Sequence, residues 1–130
     1  MIATSTYRTF NPYDNTAECI FKITGGTTIA FQLSLLNTTA LEVFVVNVYR
    51  SYDGYQWVAT ATGTSNVSFT NTDYTKVSDE FDARAPFWKL CTKPGSGKST
   101  SNNNLQITAM LHSNTESPEI ECLTPPASAY

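Results

Sequence analysis

The run PGSGKST, Pro94 to Thr100, is the part of this 130-residue chain that comes nearest to a catalytic motif. Gly-Lys-Ser closes a phosphate-binding loop because the loop backbone N–H groups cradle phosphate while the Lys ammonium reaches it. Such a loop also needs a Gly five residues before Gly97, where this chain has Thr92, and a helix starting at the Lys. Ser99-Thr100-Ser101-Asn102-Asn103-Asn104 is poor helix material. The segment therefore reads as a flexible connection, with Gly95, Gly97 and Lys98 as a candidate contact loop.

The other reactive residue types are equally isolated. His112 has no Ser or Cys placed by sequence to act with it, and nucleophilic catalysis needs nucleophile, base and orienting group together. Asp79, Glu80 and Asp82 lack the D-x-D-x-D-G spacing of a calcium loop and read as a solvated acidic loop. A glycosidase would need two carboxylates at a set separation, which spacing alone does not supply. Cys19, Cys91 and Cys122 are odd in number and far apart, so they make neither a disulfide framework nor a zinc site. Reduced thiols are expected, with Cys19 and Cys91 as small strand hydrophobes and Cys122 freer to react. No enzyme, cofactor or metal site is expected.

The elements that must position these residues are strands. Ile29, Phe31, Leu33 and Leu35 alternate with polar or small residues, which is the period of a strand with one buried face, and Leu105, Ile107, Ala109 and Leu111 alternate again. Cys19, Phe21 and Ile23 make a shorter strand ended by Gly25-Gly26, and Leu41 to Arg50 is apolar on both faces, as in a central strand covered twice. Val67 to Thr70, Tyr74 to Val77 and Phe87 to Thr92 are further candidates, and one helical turn is possible in Ser78 to Pro86. Val43 to Trp57 (VFVVNVYRSYDGYQW) reads as a hairpin turning at Tyr52-Asp53-Gly54, because Gly54 can take positive φ and Asp53 tolerates the left-handed region. Its second strand is expected on Tyr55, Trp57 and Ala59.

About seven or eight strands at turn intervals of roughly 8 to 12 residues predict one all-β domain, an antiparallel β-sandwich of jelly-roll type. The expected core includes Phe31, Leu33, Val45, Trp57 and Ile107. The sandwich is expected over residues 17–112, flanked by extended arms at 1–16 and 113–130, because the first lacks a sustained period, with room for one short strand, and the second carries Pro118, Pro125 and Pro126. The arms are expected to contact other chains while the sandwich folds without them.

Thr is the commonest residue, charged residues are 15% and the net charge is −3, so hydroxyls rather than ions finish the surface. With eight scattered basic residues a nucleic-acid partner is not expected. No apolar run approaches a membrane span of about 20 residues, and MIATSTYRTF has neither the basic nor the apolar region of a signal peptide. Asn37-Thr38-Thr39 and Asn66-Val67-Ser68 match the glycosylation acceptor but read as turns. Tyr49, Tyr52, Tyr55, Trp57, Phe87 and Trp88 suit a core, a protein interface or a sugar platform.

Residues 27 to about 111 resemble a group of small β-sandwich virion proteins of tailed bacteriophages. The resemblance rests on Val46, Val48, Ser51, Asp53, Gly54 and Trp57 in the pattern V-x-V-x-x-S-x-D-G-x-x-W, then Ala85-Pro86-Phe87-Trp88, then the strand Leu105 to Leu111. It implies a structural protein on the capsid surface, assembled in the host cytoplasm, that decorates or cements the shell. Its implied partners are the major capsid protein or another virion protein, and copies of itself, as in the trimers common among capsid decorations. A carbohydrate-binding module is the alternative from another class.

Overall fold

A computed structural model of the chain describes residues 1–11, 17–35, 44–60, 67–69, 74–93, 105–114 and 117–124. Strands run at Ile2–Phe10 (β1), Glu18–Thr24 (β2), Thr28–Leu35 (β3), Phe44–Ser51 (β4), Val58–Ala59 (β5), Val67–Phe69 (β6), Thr75–Val77 (β7), Phe81–Asp82 (β8), Phe87–Lys93 (β9), Leu105–His112 (β10) and Glu119–Cys122 (β11). No helix occurs among the described residues, so Ser78 to Pro86 supplies β8 and turns rather than a helical turn. One sheet has the order β1-β10-β3-β7, with β8 also on β3; the other has the order β11-β2-β9-β4-β5, with β6 also on β4.

The pairing is nested. β1 joins β10, β2 joins β9, β3 joins β7 and β8, and β4 joins β5 and β6, all antiparallel. Successive strands β1 to β4 alternate between sheets, so the chain is a long folded ribbon wound around one core. That winding is a jelly roll, and β11 is an extra strand beside β2.

Alternation explains which side chains enter the core. Ile29, Phe31 and Leu33 from β3 and Leu105, Ile107, Ala109 and Leu111 from β10 are fully buried and face Cys19, Phe21, Val46, Val48, Trp88 and Leu90 of the second sheet. Phe31 bridges the layers, its ring centroid 6.1 Å from both Phe21 and Trp88 and 6.5 Å from Phe81. Trp88 could enter a dry core because its indole N–H donates to the Ala85 carbonyl at 2.8 Å. At the β2–β3 turn Gly25 has φ +77°, and a Cβ on Gly26 would overlap the Leu111 side chain.

Both expected arms contain sheet strands. β1 makes the longest run in its sheet and buries Tyr7 and Phe10, and β11 packs Ile120 and Cys122 against the core, so the sandwich extends from Ile2 to Cys122. The arm reading failed on β1 because small or polar Ala3 and Ser5 take inner positions while apolar Ile2 lies outside with Thr4 and Thr6. It failed on β11 because Pro118 stands just before the strand and the other two prolines follow it, bracketing the element without interrupting it. β4 is central in its sheet but covered on one face only: Val46 and Val48 are buried, while Val45 and Tyr49 are half-buried outside.

Candidate functional site

The β4–β5 connection is built around Ser51, which ends β4 and is 1% exposed. Its Oγ accepts hydrogen bonds from the N–H of Gly54 at 2.8 Å and of Asp53 at 3.3 Å, and donates to Asp53 Oδ1 at 3.0 Å. That carboxylate oxygen then accepts from the N–H of Tyr55 at 2.8 Å and of Gln56 at 2.9 Å. The Gln56 and Tyr55 N–H groups, with the Ser51 hydroxyl, hold the Asp53 carboxyl below the usual carboxylate range. Gly54, at φ +83°, lets the chain reverse against the Phe87 ring.

The connection is therefore a loop over 52–57, longer than the tight hairpin turn expected, and the returning strand is confined to Val58–Ala59. Trp57 precedes that strand. Its ring is half-buried on the outer face of the sheet and does not enter the core, which corrects the expected assignment. Lys89 on β9 lies opposite Tyr49 of β4, and its ammonium sits 4.6 Å from the Trp57 ring centroid, 5.6 Å from that of Tyr49 and 3.8 Å from a Glu18 carboxylate oxygen. Lys22 lies 5.9 Å from the Phe87 ring in the same way. Lysines thus cover aromatic faces that a sugar would need for stacking. Tyr52 and Tyr55, 67% and 89% exposed, are the open rings at the loop tip.

No chemistry converges on this loop, since every polar atom named is spent on holding its backbone. Ser51, Asp53, Gly54 and Trp57 are brought together; Gly95, Gly97 and Lys98 lie outside the described residues, as do Asn37-Thr38-Thr39 and Asn66. His112 is exposed at the end of β10, in a shallow cleft shared with Glu80, Thr28 and Ile2. Asp82 pairs with Arg84 at 3.1 Å.

No family model matches the chain, and no curated protein does. Among solved structures it is similar to the crystal structure of Yersinia pseudotuberculosis-derived mitogen, at 17% identity over 98% of each chain with a TM-score of 0.45. No function is carried across at that level.

Two features escaped sequence reading. Lys89 meets Tyr49 and Trp57 only through the β4–β9 register and the loop path. Cys122, opposite Phe21 on β11, turns toward the core beside Cys19 of the adjoining strand. Burial, with the Cys122 sulfur as its hydrogen-bond partner, pushes the Cys19 thiol up; the hydrogen bond from Cys19 brings Cys122 down to about 7 against its own partial burial. Cys91 lies half-buried on the outer face, where burial raises its thiol.

Proposed function

We propose that this chain is a non-enzymatic structural protein that works through protein–protein contacts, and that it decorates or cements the capsid of a tailed bacteriophage as a homo-oligomer. The supporting observation is the β1 edge. Met1 and Ser113 exchange both backbone hydrogen bonds at 2.9 Å, so in the alternating antiparallel ladder Ile2, Thr4 and Thr6 turn their N–H and C=O groups away from β10. β11, the edge of the second sheet, lies beside it, so one flank of the sandwich offers two strand edges. Strand edges pair readily with another chain. At the opposite flank the Lys76 ammonium donates to the Ser68 carbonyl at 2.8 Å, tying β7 to β6.

Proline provides the test. Thr4→Pro removes an outward N–H and should leave the fold intact, whereas Ser5→Pro removes a ladder hydrogen bond. In co-sedimentation with capsids lacking this protein, the parent should bind and Thr4→Pro should lose binding at an unchanged melting temperature. Light scattering should give a trimeric mass for the parent. A monomer that ignores capsids removes the reading; a Thr4→Pro variant that binds as the parent does removes the edge as the contact. A carbohydrate-binding function would rest on Tyr52 and Tyr55, and saturable glycan binding lost in Tyr55→Ala would favour it.

A further inference from the structure

Cys19 and Cys122 differ in access. Cys19 is fully buried, whereas Cys122 forms part of the wall of a cleft of about 420 Å³ between β1 and β11, with Thr6, Tyr7, Arg8, Thr9 and Thr124. The register places the two cysteines diagonally on one face of the β2–β11 pair, with Cys122 packed against the core that holds Cys19. Arg8 also lines the cleft, its guanidinium donating to Gln106 Oε1 of β10 at 2.8 Å. We propose that Cys122 is a thiol-exchange site for small disulfides of the glutathione class, and that Cys19 resolves the adduct into a Cys19–Cys122 cross-link.

The chemistry balances in two steps. The Cys122 thiolate attacks one sulfur of the reagent, forming a mixed disulfide as the reagent's S–S bond breaks and one small thiolate leaves. Cys19 gives up its proton to that thiolate and attacks Cys122 Sγ, so the protein disulfide forms and the second small thiolate leaves and is protonated from water. Two protein thiols are oxidised and one small disulfide is reduced to two thiols. A disulfide tolerates Cα separations up to roughly 7 Å, and any adjustment falls on β11, an edge strand of four residues.

The experiment uses the full, reduced chain incubated with oxidised glutathione, followed by intact mass and non-reducing peptide mapping. The expected product is lighter by about 2 Da, with the Cys19 and Cys122 peptides joined and Cys91 unlinked. Cys19→Ala should stop at one glutathione on Cys122, and Cys122→Ala should give neither product. The parent map decides the matter even if a variant fails to fold. A parent that stays reduced, takes glutathione on Cys91 alone, or keeps an unresolved Cys122 adduct overturns the proposal.

Discussion

Ser51 shows how one hydroxyl can set a loop. Its oxygen satisfies two backbone donors and orients Asp53, which satisfies two more, so a side chain accessible to almost no water fixes the path from β4 to Trp57. Ser51→Ala leaves those donors short of a partner, and a loss of about 1 to 3 kcal/mol is expected in urea unfolding. Asp53 adds a pH term. Its folded-state affinity for a proton is lowered, so its contribution is present above the unfolded value near ~3.9 and is lost as pH falls through the lower folded value. The stability gap between the parent and Asp53→Asn should therefore shrink as pH is taken from neutral to strongly acid, and a constant gap would contradict it. The two tryptophans separate in the same way. Trp88→Ala empties a buried site and should cost about 3 to 5 kcal/mol, while Trp57→Ala loses a half-buried ring and its Lys89 contact and should cost under roughly 2 kcal/mol. Equal losses would put Trp57 back in the core.

Among the elements, legibility followed the chemistry of the two faces. β3 and β10 could be read because buried positions are apolar and the positions between them mostly polar or small, and the reversal at Gly54 because positive φ favours glycine, although the loop around it is longer than the tight turn expected. β1 has Ala3 and Ser5 on its inner face, Ile2, Thr4 and Thr6 on its outer face, and only Tyr7 and Phe10 as anchors, so its hydropathy does not alternate. The exposed side of Trp57 and the Cys19–Cys122 contact needed a register between strands far apart in sequence, which no local pattern encodes. Because β1 is a strand, its removal has a definite consequence. Deleting residues 2–10 strips the β10 edge and takes Tyr7 and Phe10 from the core, so the remainder should lose its cooperative thermal transition in circular dichroism. A truncated chain that melts as sharply as the parent would restore the arm interpretation.

For the whole molecule, the nested pairing leaves no sub-unit with a core of its own. Phe31 touches Phe21 and Trp88 across the layers, and each sheet draws on both halves of the chain. Unfolding should therefore be one event: Trp fluorescence, reporting Trp57 outside and Trp88 inside the second sheet, and far-ultraviolet circular dichroism should give the same denaturant midpoint. Separate midpoints would show that the sheets come apart independently.

The pairing of β1 with β10 also sets a clock. β1, β2 and β3 have no strand partner among themselves, and Tyr7 finds its neighbour at Ile107. At ribosomal speeds of about 5 to 20 residues per second, β1 is made some 5 to 20 s before the strand that will hold it. Throughout that interval the nascent chain carries a hydroxyl-rich strand rather than a greasy one, a composition that keeps a waiting edge wet until its partner is synthesised.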